Sequence, residues 1–157
     1  MSKSVTSTSS QRLFLKNKPF LLQLLLNVSW VMAFVSMAGS LYFSEILHFP
    51  PCILCWYQRI AMYPLVVIIA VGILKKDRNL PYYVLPLSVI GGLIAGYHNL
   101  LNYQIIPEST APCLAGISCT TKFIEWFGFI TIPFLSLLAF MFITVCIVGY
   151  LKLVKTK

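Results

Sequence analysis

Two cysteines three residues apart stand at the start of a long apolar run, in the sequence PCILCWYQR at positions 51–59. Proline is tolerated in the first turn of a helix, so a helix that begins here places Cys52, Cys55 and Arg59 on one face. The Cα atoms of the two cysteines would then be roughly 5 Å apart, a distance that a disulfide accepts. A helix N-terminus also favours the thiolate, which is the reactive form of cysteine. The spacing therefore predicts a redox-active pair, with Cys52 as the more accessible thiol.

Arg59 follows the pair by one helical turn and lies inside the apolar run. A charged side chain in hydrocarbon is costly, so it indicates a functional site. Two electrons that leave a dithiol need an acceptor, and a membrane-soluble quinone fits at this depth. The guanidinium could hydrogen-bond a quinone carbonyl oxygen and stabilise negative charge as it develops, with Gln58 beside it to orient it. Alternatively, the Arg59 side chain could extend so that its guanidinium lies at the membrane surface, with no role in the reaction.

His98 stands near the end of a later apolar run, at a depth similar to that of the cysteine pair. Its imidazole could relay a proton or bond a quinone oxygen, or it could be a histidine packed at the interface. Arg59 and His98 are therefore the candidate quinone-binding residues.

Cys113 and Cys119 form a second pair, in a segment that also holds prolines and a glycine. Four cysteines allow three connectivities, and proximity in the sequence favours Cys52 with Cys55 and Cys113 with Cys119. Such pairs exchange through a mixed disulfide, whereas loops this short are poor structural staples. Two cysteine pairs could also hold zinc, although the wider spacing of the second pair is atypical. Cys146, in the last apolar run, is expected to be a buried apolar residue.

The chain of 157 residues is 59% hydrophobic and only 10% charged, against about 25% in ordinary soluble domains. Its apolar residues form blocks of the length that a spanning helix needs. We therefore predict an all-α membrane protein, a bundle of four transmembrane helices. The spans are expected near 21–43, 54–74, 80–101 and 126–151, with loops at 44–51 and 102–125. Gly92 and Gly96 in the third span predict close packing against a neighbouring helix.

The lysine and arginine residues that give the chain its net charge of +8 cluster on one predicted side of the membrane. This distribution indicates membrane topology and argues against a nucleic-acid partner. Lysine and arginine concentrate before the first span, in the turn after the second, and after the last. This pattern predicts cytoplasmic termini and outward-facing loops, so that the first four cysteines face away from the reducing cytosol. We expect a disordered tail over residues 1–18, one membrane domain over 19–151 and a short tail over 152–157.

With these motifs together, the chain resembles the DsbB family of disulfide-generating membrane proteins, and in particular its small BdbC-like branch of Gram-positive bacteria. The resemblance covers roughly residues 28–150. It is carried by PCILCWYQR and by two further stretches, GSLYFSE at positions 39–45 and WFGFITIPF at positions 126–134.

The resemblance implies a route for electrons in the bacterial cell membrane. An extracytoplasmic thioredoxin-like thiol oxidase is reoxidised by Cys113 and Cys119. Cys52 and Cys55 reoxidise that pair and reduce menaquinone or ubiquinone, and Arg59 matches the quinone-associated arginine. Gln58 stands where other members carry an acidic residue, and His98 has no secure counterpart in the Gram-negative members.

Three other readings remain open at this stage. The same architecture could reduce a quinone-like substrate for its own sake, as vitamin K epoxide reductases do, although the order of the motifs favours disulfide formation. A membrane protein could bind a metal through its cysteines and His98, but the apolar runs hold no acidic residues for a cation path. The cysteines could also be staples in a structural four-span protein.

Overall fold

The computed structural model describes residues 5–107 and 131–155, with side chains from residue 18 onward. The described chain is all helical. Its four long helices are α1 (Val5–Leu41), α2 (Ile53–Lys75), α3 (Leu80–Asn102) and α4 (Ile132–Lys155), and a π-helix at Tyr42–Ile46 continues α1. Each of the four is long and apolar enough to cross a membrane. The predicted all-α architecture with four spans is confirmed.

Three boundaries in the structure differ from the predicted ones. The tail expected to be disordered is helical from Val5 onward, and the helix continues through Pro19 into the apolar run. The fourth helix begins at Ile132 rather than near residue 126, since Thr131 is not helical and Pro133 suits a first turn. The helix before the first loop continues to Ile46, so the 44–51 loop is shorter than expected. Cys113 and Cys119 lie outside the described residues.

The helices form a bundle in which α1 and α3 each pack against both α2 and α4. The short connections between α1, α2 and α3 make neighbouring helices antiparallel. One end of the bundle therefore carries the end of α1, the start of α2, the end of α3 and the start of α4. We call residues 40–59, 98–107 and 131–136 the cysteine end, because it contains Cys52 and Cys55.

The middle of the bundle is packed with aliphatic and aromatic side chains, among them Leu65, Ile69, Ile143 and Phe140, all of which are fully buried. At Gly91 of α3, an added Cβ would overlap the ring of Phe140 on α4, so this position leaves no room for a side chain. The predicted close packing is confirmed at Gly92, where an added Cβ would lie 3.6 Å from Cβ of Phe140 on α4, and is wrong at Gly96, where nothing lies within 4 Å.

Polar side chains join α3 to α4 at two levels. The Thr144 hydroxyl donates to the Ser88 hydroxyl at 3.1 Å in the middle of the bundle. At the cysteine end, the Asn99 amide donates to the backbone carbonyl of Pro133 at 2.9 Å. This second bond fixes the first turn of α4 against the end of α3, close to the candidate site.

Candidate active site

The start of α2 brings the first cysteine pair together. Cys52 is the N-cap residue, and its sulfur accepts a hydrogen bond from the backbone N–H of Cys55 at 3.3 Å. The two sulfur atoms lie 2.9 Å apart and are hydrogen-bonded. Because the cap satisfies a backbone donor that the helix leaves unpaired, the sequence of the first turn itself holds the thiols in proximity.

The sequence predicts Cys52 to be the more accessible residue of the pair, but in the structure Cys52 is the less exposed of the two residues. Cys52 is only 7% exposed, whereas Cys55 is partly exposed. Its N-cap position places Cys52 in a small cluster with Leu54 and Leu101, beneath the end of α3. Position along the helix therefore does not decide the exposure of these residues, because both cysteines pack against the end of α3.

A row of hydrogen-bonding side chains runs from Cys52 across three helices. His98 on α3 places Nε2 3.8 Å from the Cys52 sulfur. Its Nδ1 lies 3.0 Å from the amide nitrogen of Gln58, on α2. The Ser136 hydroxyl, on α4, donates to the amide oxygen of Gln58 at 2.6 Å. Gln58, expected to orient Arg59, therefore contacts His98 instead.

Arg59 is held from the opposite direction, by α1. Its Nε and Nη2 donate to the hydroxyl and the backbone carbonyl of Ser40, each at 2.8 Å. The guanidinium also lies 5.4 Å from the centre of the Trp56 ring. The side chain is 9% exposed, so it is enclosed by the bundle and does not reach out to the surface. Both acceptors on Ser40 are neutral, and they use two of the five N–H donors of a guanidinium.

These groups surround one cavity of about 360 Å³ at the cysteine end. Cys52, Cys55, Gln58, Arg59 and His98 all line it. Apolar side chains form most of the remaining wall, including Met32, Val35, Met62 and Phe140. An apolar chamber of a few hundred Å³ with a few convergent polar groups is the ordinary form of a small-molecule site.

The donor set suits a flat, conjugated ring that carries two carbonyl groups. Such a ring needs apolar walls for its faces and hydrogen-bond donors for its carbonyl oxygens, and the cavity offers both. The guanidinium is the group best suited to an oxygen that gains negative charge, since charge-assisted hydrogen bonds are stronger than neutral ones. The described residues thus fit a quinone headgroup.

Zinc fits the same residues less well. One atom each from Cys52, Cys55 and His98 lie within 4.8 Å of one another, which is close enough to suggest a metal. Two thiolates on one tetrahedral zinc, at about 2.3 Å each, stand about 3.8 Å apart. The sulfurs here are 2.9 Å apart, so they would have to separate before they could share the ion. Their spacing suits a redox-active cysteine pair better than two ligands of one zinc ion.

The family model described as "Disulfide bond formation protein DsbB" matches residues 22–150. This chain belongs to the DsbB family. It is 50% identical to disulfide bond formation protein C of Bacillus subtilis strain 168, over 76% of this chain and 87% of that relative. It is 48% identical to the probable disulfide formation protein C of Halalkalibacterium halodurans, over 75% and 86%. No solved structure matches it.

Membership of the DsbB family makes this chain a disulfide-forming oxidoreductase, and its four apolar helices make it a multi-pass membrane protein. The sequence indicated the cysteines, Arg59 and His98 but not the two serines, of which Ser40 binds Arg59 and Ser136 binds Gln58. Ser40 stands inside GSLYFSE and Ser136 shortly after WFGFITIPF, the two other matching stretches of the resemblance. The two motifs could therefore have drawn attention to these serines, but the contacts that the serines make are visible only in the fold.

The electrostatics of the site favour a thiolate at Cys52. The hydrogen bond with the Cys55 thiol is the largest influence and, with His98, lowers the pKa of Cys52 from 9.0 to about 4, although burial acts in the opposite direction. Because a thiolate rather than a thiol attacks a disulfide, Cys52 is prepared to exchange at neutral pH.

We expect the alkylation rate of Cys52 in the reduced protein to be almost independent of pH between about pH 6 and pH 8. The lowered pKa keeps the sulfur ionised over this range, so its rate should fall only as the pH approaches about 4. Iodoacetamide labelling of the detergent-solubilised protein, followed by peptide mass spectrometry, measures it. A rate that rises about tenfold per pH unit across that range, as for an ordinary thiol, would contradict the assignment.

Proposed function

We propose that this protein is a membrane thiol:quinone oxidoreductase that reoxidises an extracytoplasmic thioredoxin-like thiol oxidase. The observation that carries the proposal is that the Cys52–Cys55 pair and the enclosed Arg59 line one apolar cavity at the end of the bundle. The chamber can receive a hydrophobic electron acceptor beside the sulfurs that supply the electrons. Cys52, Cys55, Cys113 and Cys119 are the proposed catalytic residues.

Electrons enter through the second cysteine pair. The partner's two thiols reduce the Cys113–Cys119 disulfide and are left as a disulfide. A thiolate of the reduced pair then attacks the Cys52–Cys55 disulfide through a mixed disulfide, and a second attack releases Cys52 and Cys55 as the dithiol. The names of the B. subtilis relative and the family support this role, and the family resemblance supports the order of the pairs.

The first pair closes the cycle. Cys52 and Cys55 form their disulfide again as two electrons and two protons leave. A bound quinone, either menaquinone or ubiquinone, would accept these two electrons and two protons and leave as the quinol. Arg59 would hold a carbonyl oxygen and His98 would lie at the sulfur end of the chamber, while the apolar walls exclude water.

We propose that the cysteine end faces away from the cytoplasm and that both termini are cytoplasmic. Lys75, Lys76 and Arg78 lie in the α2–α3 turn at the opposite end of the bundle, and Lys152 and Lys155 lie at the end of α4. Positive residues accumulate on the cytoplasmic side of membrane proteins, which supports this orientation. It gives one membrane domain over residues 19–151 in the cell membrane, with the redox cysteines where disulfides persist.

A reconstituted assay tests the function. Purified protein in detergent is mixed with a reduced thioredoxin-like oxidase and a soluble quinone analogue, and quinone absorbance is followed. We expect loss of the oxidised quinone signal together with oxidation of the partner. Absence of turnover with several quinones and dithiols, despite intact cysteine pairs, would contradict the proposal, and stoichiometric zinc in the same sample would favour the metal reading.

Replacing Cys113 or Cys119 with serine should block the external partner but leave the cavity intact. We expect oxidation of the thioredoxin-like protein to fall to background. Reduction of quinone by a small dithiol, which can reach the first pair without a protein carrier, should continue. Both rates are followed in the same preparation, and equal loss of both would show that the second pair does not act as the entry point.

A further inference from the structure

We propose that Gln58 and Ser136 are positioning residues that fix His98 in the tautomer whose Nε2–H points at the Cys52 sulfur. This role rests on the proposed function, because the tautomer of His98 matters for the reaction only if Cys52 is a redox cysteine. Gln58 belongs to α2, His98 to α3 and Ser136 to α4.

The hydrogen-bond lengths determine the orientation of the Gln58 amide. Ser136 Oγ lies 2.6 Å from one amide atom of Gln58, a length typical of O–H···O and shorter than is usual for N–H···O. That atom is therefore the oxygen, and the amide nitrogen is the atom 3.0 Å from His98 Nδ1. Since the amide nitrogen can only donate, Nδ1 must accept. A neutral imidazole then carries its proton on Nε2, the nitrogen 3.8 Å from the Cys52 sulfur.

The burial of Gln58 and His98 is difficult to explain by packing alone. Gln58 is 7% exposed and His98 is 2% exposed. A buried amide and a buried imidazole cost stability unless their hydrogen bonds are made, and apolar residues of similar size would fill the same space without that cost. Ser136 completes the row because the Asn99–Pro133 bond fixes the turn from which it projects.

The tautomer matters because the two forms of His98 act oppositely on Cys52. A proton on Nε2 is attracted to a thiolate and favours it. A bare lone pair on Nε2 would repel a thiolate and favour the thiol. Among the described residues, the ionisable side chains that line this cavity beside Cys52 are Cys55, Arg59 and Tyr63 from α2 and His98 from α3, while the polar side chains from α1 and α4 are neutral hydroxyls. Within the described part of the cavity wall, His98 is therefore the ionisable side chain from outside α2 that lies beside the Cys52 sulfur.

The test measures the pH midpoint of Cys52 alkylation in the full-length, reduced protein in detergent. Gln58→Met keeps the volume but removes the amide, so both tautomers become accessible. We expect the midpoint to rise by about one pH unit, with about tenfold slower alkylation at pH values below both midpoints. Ser136→Ala should shift it in the same direction by less. Gln58→Glu should not raise it, because a carboxylate pairs with a protonated imidazole that still presents Nε2–H.

Matched controls separate this effect from general disturbance of the bundle. Gln23→Met replaces an exposed glutamine of α1 whose amide contacts Asn27. Ser29→Ala replaces a buried serine whose hydroxyl bonds the carbonyl of Leu25 within its own helix. Neither variant should move the midpoint. Thermal unfolding of each variant shows that it is folded.

A double-mutant cycle decides whether Gln58 acts through His98. In a His98→Phe background, Gln58→Met should cause no further shift, since the tautomer it controls is gone. An unchanged midpoint in folded Gln58→Met, or the same shift with and without His98, would overturn the proposal. If Gln58→Met does not fold, Ser136→Ala in both backgrounds carries the same test. Alkylation needs no quinone, so failure of the proposed turnover is seen separately in the quinone assay.

Discussion

Cys52→Ser and Cys55→Ser are each expected to abolish quinone reduction, with turnover at least roughly a thousandfold lower than in the native protein. A hydroxyl cannot form the disulfide that stores the two electrons, so removal of either sulfur breaks the same step. The sulfurs lie 2.9 Å apart and act as a unit, and the double variant should therefore be no slower than either single variant. Quinone absorbance with a reduced thioredoxin-like oxidase measures the rates.

Cys146→Ser is the matched control for these variants. Cys146 is a buried free cysteine of α4, and it does not line the cavity at the cysteine end. Its replacement removes one sulfur from the same bundle without touching the site, and turnover should stay within about twofold of native. Substantial quinone reduction by Cys52→Ser, or loss of turnover in folded Cys146→Ser, would contradict the assignment of the first pair.

The parts of the fold that depend on local sequence could be predicted. The apolar blocks determine the four helices, and α2 and α3 begin and end within one residue of the predicted spans. The prolines before Cys52 and the spacing to Cys55 are enough to place both sulfurs at a helix N-terminus. Local rules succeed here because the relevant contacts lie within one turn of one helix.

The rest of the site depends on how the helices are rotated against one another. That His98 faces Gln58, and that Gln58 faces Ser136, requires three helices to present particular faces at one depth. Hydropathy alone does not specify those rotations, since a nearly uniform apolar helix has no polar face to orient it. For the same reason, the sequence suggested Gly92 and Gly96 as contact points, whereas the structure places Gly91 and Gly92 against Phe140 and leaves Gly96 without a neighbour within 4 Å.

Arg59→Met should raise the KM for quinone by at least tenfold while the protein remains folded. A hydrogen bond to a charged group contributes about 1.5–3 kcal/mol, which corresponds to roughly ten- to hundredfold in affinity. The substitution leaves the hydroxyl and carbonyl of Ser40 without their donor, a smaller loss than a buried unpaired charge would be. Steady-state rates over a range of quinone concentrations separate KM from kcat, and thermal unfolding follows stability.

Replacing Ser40 tests the same role of Arg59 with a smaller change. Ser40→Ala removes the hydroxyl bonded to Nε of Arg59 but keeps the backbone carbonyl bonded to Nη2, so the guanidinium keeps its charge and one of its two anchors. The KM should rise in the same direction as in Arg59→Met but by less. Arg78→Met, in the exposed turn at the far end of the bundle, removes a positive charge without touching the cavity and should leave KM unchanged. A native KM in Arg59→Met, with the cysteine pair still active, would mean that the enclosed cation only ties α2 to α1.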